Sequence, residues 1–273
     1  MLATNSPNTP TNTALPAHTA TRSVKRIRLN AFLTHLAISI MIACGLLYML
    51  TQHWYPSFYF EIDGGWDGLQ LILGCDIILG PCLTLILFKP GKKGLWFDMT
   101  MVGIVQTVAL SVGTWIVYQE RPLAIAFTDH AFFMVGNATY QFVGQPVPDL
   151  DAFPGPYPKA IFIDLPDDPH ERKILRLQQG RDGPLHADAT RYRPMAQHTD
   201  TVLAWGAQRI EDVLAQNPAG ETEINAWLTR KGRTRENTRL IPITARSAWR
   251  YIYVDAMTAE RLGVTSSALT PPF

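Results

Sequence analysis

The hydrophobic pattern of the chain changes near residue 120. Before it lie three long apolar runs: residues 31–50 without a charge, 69–88 with Asp76 as the one charge and Pro81 as the one proline, and 95–117 interrupted by Asp98 near its start. An α-helix rises about 1.5 Å per residue, so about 20 apolar residues cross the hydrocarbon core of a bilayer. Each run is therefore predicted as a transmembrane helix. Trp54, Tyr55, Tyr59, Trp66, Trp96, Trp115 and Tyr118 cluster near the ends of the runs, where amphipathic rings settle at the membrane–water boundary.

Beyond residue 120 the apolar segments are short. Residues 121–127, 131–135 and 139–143, separated by Thr128-Asp129-His130 and Gly136-Asn137, predict a small antiparallel meander. Residues 145–158 are proline-rich and predict an irregular loop. A strand is expected at 159–165. Asp167-Asp168-Pro169-His170-Glu171 opens a helix running to about 178 and stopping at Gly180. Val202, Leu203, Trp205, Ile210, Val213 and Leu214 give one longer amphipathic helix over 197–216, and another follows at 221–231. Strands are expected at 240–244, 249–254 and 261–264. The expected fold class is a membrane protein with three transmembrane α-helices followed by a small α+β domain. The domains are residues 1–28, a disordered tail with a basic end; 29–118, the three-helix region; and 119–273, the α+β domain. The Thr-, Asn-, Pro- and Ala-rich residues 1–21 show no apolar period, which is the basis for reading disorder there.

Loop charges orient the helices. Arg22, Lys25, Arg26 and Arg28 precede the first run, and Lys89, Lys92 and Lys93 sit between the second and third. The link at 51–68 holds Glu61, Asp63 and Asp67 and no Lys or Arg. Basic loops stay in the cytoplasm, so the N-terminus is expected inside and the α+β domain outside. The first run is too long for a signal-peptide core and ends in Tyr48-Met49-Leu50 rather than small residues, so it reads as a retained anchor. The short link Lys89-Pro90-Gly91-Lys92-Lys93-Gly94 predicts an antiparallel hairpin of helices two and three.

Asp76 is the candidate functional position. An ionised Asp within a membrane helix costs at least about 2.5 kcal/mol on insertion scales, so it is expected to be protonated or to face a partner. Gly74 and Gly80 leave room for a neighbouring helix, and Pro81 removes an amide and frees the carbonyl of Ile77. Three readings stand: contact with the helix of another protein through Gly74, Asp76, Gly80 and Pro81 or a proton-sensitive position; a packing hydrogen bond within this bundle; and a transport pathway, which three helices with no evident pore favour least. His35 and Gln106, on the other two runs, are the candidate polar partners.

Other chemistry is sparse. The domain carries equal numbers of basic and acidic residues after residue 120, which gives no basic stripe for nucleic acid. Cys44, Cys75 and Cys82 all fall in apolar runs and read as small packing residues. No Cys/His spacing suits zinc, and no glycine-rich phosphate loop is present; no metal, cofactor or catalytic residue is expected. Asp164, Asp167, Asp168, His170, His186 and His198 are possible acids and bases, but the Asp168–His170 proximity reads as a helix start. The basic run Arg230–Arg235 reads as a solvated helix end.

Several short motifs, taken in order, resemble one family. Ala31-Phe32-Leu33-Thr34-His35-Leu36 after the basic segment, Trp54-Tyr55-Pro56, Gly64-Gly65-Trp66, and Gly74-Cys75-Asp76 with Leu79-Gly80-Pro81, Leu83-Thr84-Leu85 and Phe88 are similar to the TfpX/TfpZ family of type IV pilin accessory proteins. Tyr118-Gln119-Glu120-Arg121-Pro122 extends the likeness, which is best over residues 26–127. The resemblance implies a bacterial inner-membrane protein with a periplasmic domain, acting as a non-enzymatic chaperone or modulator on the major pilin, with the pilus assembly machinery as further partner. The alternatives are a pilin-modifying enzyme such as a glycosyl transferase, and a membrane-anchored periplasmic sensor. Three helices and a short outer loop argue against the first, and the lack of a cytoplasmic output domain in the sequence argues against the second.

Overall fold

The computed structural model describes residues 17–246, 248–266 and 269, leaving undescribed the side chains of 17–23, 71, 75 and 180–182. The expected disorder of residues 1–16 and the packing role of Cys75 lie outside what is described. The described residues fall into two compact units. One joins the chain up to Ala43 with Leu73–Leu110; the other joins Cys44–Ile72 with the chain from Ser111 onward.

In the first unit, α1 (Ala17–Met49) begins well before the apolar run. Residues 17–28, expected as a tail, are helical. No Gly or Pro follows Pro16 in this stretch, so nothing stops a helix nucleated in the apolar run from propagating backward through good formers such as Lys25, Arg26 and Arg28. The Arg28 guanidinium donates to the carbonyl of Leu85 at 2.5 and 3.2 Å and to that of Ile86 at 3.4 Å. These are last-turn carbonyls of α4 (Gly80–Leu87), which lack helical partners of their own. Before α4 the chain passes through α2 (Tyr59–Ile62), α3 (Gly65–Leu73) and a π-wound segment, Gly74–Leu79. Lys92 pairs with Asp98 across the link that leads into α5 (Leu95–Gln119).

Among the described residues two helices are long and apolar enough to cross a membrane: Val24–Trp54, 31 residues, and Leu95–Gln119, 25 residues. The apolar helix between them, Asp76–Leu87, is shorter. Cys44 and Cys82 lie on exposed helix faces rather than in packed positions.

The second unit is built on a mixed sheet. Its strands are β1 (Pro122–Thr128), β2 (Ala131–Gly136), β3 (Lys159–Ile163), β4 (Tyr192–Pro194), β5 (Thr238–Thr244), β6 (Trp249–Asp255) and β7 (Arg261–Val264). Their order is β4-β3-β1-β2-β5-β6-β7. β1 pairs antiparallel with β2 and parallel with β3, and β2 pairs parallel with β5. Alternate residues of β1 face opposite ways: Ile125 and Phe127 enter one cluster, Ala124 and Ala126 the other. Helices cover both faces, namely α6 (Asn137–Phe142), α7 (Pro169–Asp182), α8 (Thr199–Gly206), α9 (Ile210–Gln216) and α10 (Glu221–Lys231).

Three expectations fail here for local reasons. Residues 139–143 are not the third strand of a meander; 139–142 lie in α6 and Val143 follows its end. The Thr139 hydroxyl accepts the Gly136 amide at 3.3 Å, which starts a helix, and Tyr140 is buried with its hydroxyl 2.9 Å from that of Tyr192. The helix expected over 197–216 is two, α8 and α9. Between them Gln208 exchanges both backbone hydrogen bonds with Leu240, at 2.8 and 3.0 Å. Finally, the link at 51–68, assigned from the sequence to the three-helix region, contributes to the core of the sheet domain: Tyr59 and Ile62 belong to the same buried cluster as Ile125, Phe127, Ile241 and Ile252.

Candidate functional site

The first unit holds a small polar cluster in apolar surroundings. Asp76 sits in the π-wound segment and is 9% exposed. Gln106 of α5 donates its Nε2 to Asp76 Oδ1 at 3.1 Å and reaches the Asp76 carbonyl at 3.5 Å. Gln106 thus reaches both the side chain and the backbone carbonyl of Asp76, in the π-wound segment just before the turn of α4 that carries Pro81.

Gly80 is what admits Gln106. A Cβ there would overlap the Gln106 amide. Gly74 is different: nothing lies within 4 Å of where its Cβ would be, and Ile78 and Leu79 are exposed beside it. Asp76 Oδ2 is buried and has no hydrogen-bond partner among the described residues. A buried polar oxygen without a donor costs about 1–3 kcal/mol, so the site is half-satisfied. His35 does not complete it; its Nδ1 lies 2.6 Å from the Thr84 hydroxyl, tying α1 to α4.

A second polar group lies within the other unit. Asp63, read from the sequence as a loop acid, is 3% exposed. Its Oδ1 accepts the Arg246 amide at 3.1 Å. The Arg246 guanidinium meets the Glu120 carboxylate at 2.7 Å and also donates to the Glu120 carbonyl. The Tyr55 hydroxyl donates to the Val117 carbonyl at 3.0 Å, and Arg261 Nε donates to the Tyr59 hydroxyl at 2.9 Å. Burial pushes the Asp63 carboxyl up to about 6, with Arg246 opposing and Glu120 adding to the rise. Sequence reasoning missed this group because it assigned Tyr55 and Tyr59 to an interfacial belt. The signal was present in Phe58-Tyr59-Phe60 and Ile62, too apolar for a solvated loop.

The possible acids and bases do not converge. Asp168 caps α7, accepting from the amides of His170 at 3.1 Å and Glu171 at 3.4 Å. Asp164 pairs with Arg193 at 3.1 Å. His186 stacks on Phe133 and His198 on Phe162, at 4.7 and 4.2 Å between ring centres. Asp167 and His170 are exposed. No hydrogen bond joins any two side chains of the set among the described residues. The basic run folds back on its own domain: Gly232 ends α10 with φ 60°, Arg233 pairs with Asp255 at 2.6 Å and Arg235 with Glu221 at 3.1 Å.

Fold and site together define a class: a unit of apolar helices carrying one buried, half-satisfied carboxyl, joined to a mixed-sheet domain. The chain is similar to the fimbrial assembly proteins of Dichelobacter nodosus. It is 30% identical over 124 residues to that of serogroup E1 and 31% over 124 residues to that of serogroup I, in each case 44% of this chain and 48% of the relative. To the protein of serogroups C1 and C2 it is 35% identical over 95 residues, 34% of this chain and 72% of that relative. The chain belongs to this fimbrial assembly protein family. The alignment spans about half the length of the first two relatives. No family model matches the chain, and no solved structure matches it.

Proposed function

We propose that this protein is a non-enzymatic accessory factor, a chaperone or modulator, for type IV pilus biogenesis. In this reading it is an inner-membrane protein of the TfpX/TfpZ type. Its N-terminus is cytoplasmic, its mixed-sheet domain is periplasmic, and the path through α3, the π-wound segment and α4 is a third membrane crossing. The relatives' description as fimbrial assembly proteins supports the pilus connection. The loop charges support the orientation. The two helices long enough to span a membrane support the location.

The observation that carries the mechanism is the half-satisfied carboxyl. Gln106 satisfies one oxygen of Asp76, and the other has no donor among the described residues. In the same helical stretch, among the described residues, nothing lies within 4 Å of where a Gly74 Cβ would be, and Ile78 and Leu79 are exposed. Small residues beside a polar group are how membrane helices recognise one another. The occupant fitting this reading is the apolar helix of the major pilin, held in the membrane before assembly. The test is co-purification of major pilin with tagged protein from cells making pili. Asp76→Asn should keep the pilin bound, because the amide still accepts from Gln106. Asp76→Leu should reduce recovery severalfold while the protein remains in the membrane fraction. Equal recovery with both variants would remove Asp76 from the contact.

A further inference from the structure

Asp63 also borders a cavity that the pilus reading does not use. The cavity has a volume of about 320 Å³, at the small end of the roughly 300–1,000 Å³ typical of ligand sites. Phe133, Met134 and Ala245 give it apolar walls, while Asp63, Arg246 and His186 are its titratable groups.

Its charges do not balance. Arg246 is one cation beside two carboxylates, and its guanidinium goes to Glu120 at 2.7 Å. Among the described residues, the hydrogen bond Asp63 accepts is from the neutral backbone amide of Arg246, while the Arg246 charge acts on it from farther off. His186 supplies no compensating charge, because burial holds its imidazole down at about 4. Tyr55 stays neutral, since burial and the nearby carboxylates outweigh Arg246 and Arg121 and push its hydroxyl up. A buried carboxylate that shares one guanidinium, Arg246, with a second carboxylate is only partly compensated, and a cation brought to it is correspondingly favoured.

We propose that this cavity binds a primary alkylammonium group, the lysine side chain of a partner protein, with its aliphatic stem along Phe133, Met134 and Ala245 and its ammonium on the Asp63 carboxylate. One oxygen of Asp63 is already engaged by the Arg246 amide. That leaves a single acceptor, which suits a point charge on a flexible stem better than the two-pronged guanidinium of arginine. An ethanolamine lipid headgroup fits less well, because its phosphate would approach the Asp63 and Glu120 carboxylates. The inference does not depend on the pilus reading and can fail separately from it.

The test uses the full chain in detergent micelles, with ¹³C-methyl methionine reporting at Met134. The probe is N-acetyl-lysine methylamide, and the control is the uncharged N-acetyl-norleucine methylamide. The expected result is a saturable Met134 shift, with the lysine compound bound about tenfold more tightly, the scale of one charge-assisted hydrogen bond. That preference should shrink below about pH 6, as the Asp63 carboxyl takes up a proton. Asp63→Asn should abolish the preference while keeping the Arg246 amide satisfied, and Ala138→Trp, at the exposed rim of the cavity, should block both compounds. Equal binding of the two compounds, no Met134 shift, or an unchanged preference in Asp63→Asn would overturn the proposal. Displacement of the probe by phosphatidylethanolamine bicelles but not by phosphatidylcholine bicelles would overturn its assignment to lysine.

Discussion

At the scale of the residue, Asp76 and Gln106 form a pair whose geometry rests on a missing side chain. Gly80 has no Cβ to displace the Gln106 amide. Gln106→Leu should lower stability in detergent by about 0.5–1.5 kcal/mol, the usual worth of a hydrogen bond between membrane helices. Gly80→Ala should cost about as much by pushing Gln106 away, and the double variant should cost little more than either single one. Fully additive losses would mean the two residues act apart. A second residue-scale expectation concerns acid. Asp63 has a carboxyl raised from 3.8 to about 6, so the folded chain holds that proton more tightly and gains stability as pH falls through this window. His186 is lowered from 6.5 to about 4, so the unfolded chain binds its proton first and stability is lost over a similar range. The two oppose each other. Thermal unfolding at stepped pH should find the native protein nearly level between about pH 6 and 4, Asp63→Asn falling on acidification, and His186→Phe rising. Parallel curves for all three would refute the assignment. The sequence made Asp76 and Gln106 visible because a lone charge and a glutamine stand out in apolar runs. It could not show Asp63 as buried, because three acids in a short link look alike until one is seen to meet a distant backbone amide.

At the scale of the element, helix and strand periods were legible wherever local preference and tertiary packing agreed. β1, β2, β5, β6, β7 and α10 lie close to their expected positions. The failures are cases where packing chose against pattern. Residues 197–216 carry one amphipathic period, yet the helix breaks after Gly206 because Gln208 leaves it to pair with Leu240. Gly206 is pressed against the domain core: a Cβ would fall 2.5 Å from the Phe127 ring and 3.3 Å from the His130 carbonyl. That ring is held between Phe132 and Phe162 and cannot easily retreat. Gly206→Ala should therefore destabilise the domain by about 1–3 kcal/mol despite the better helix propensity of alanine, measured by thermal unfolding followed through tryptophan fluorescence. An unchanged or raised midpoint would show that the close approach is not limiting. The π-wound segment was equally hidden. Pro81 signals a lost amide, but nothing in the residue types before it announces the wider turn over Gly74–Leu79.

At the scale of the whole molecule, the residues between the first two apolar runs belong to the folded domain. Tyr59 and Ile62 are part of its core, and Arg261 bonds the Tyr59 hydroxyl. Tyr59→Ala should cost about 3–5 kcal/mol of domain stability and Tyr59→Phe only about 1 kcal/mol, the worth of the single hydrogen bond. A domain indifferent to Tyr59→Ala would return these residues to the three-helix region alone. The compact unit that holds the sheet thus draws on two separate stretches of the chain, Cys44–Ile72 and Ser111 onward. The central proposal is that the helical stretch around Asp76 meets the pilin helix. A photo-reactive benzoylphenylalanine placed at Ile78, 65% exposed in that stretch, tests it in cells making pili, with the same group at Trp96, 82% exposed on α5, as the control. The expected result is an ultraviolet-dependent adduct with the major pilin from position 78, absent from position 96 and reduced by Asp76→Leu. Adducts of equal yield from both positions, or none from position 78, would contradict it.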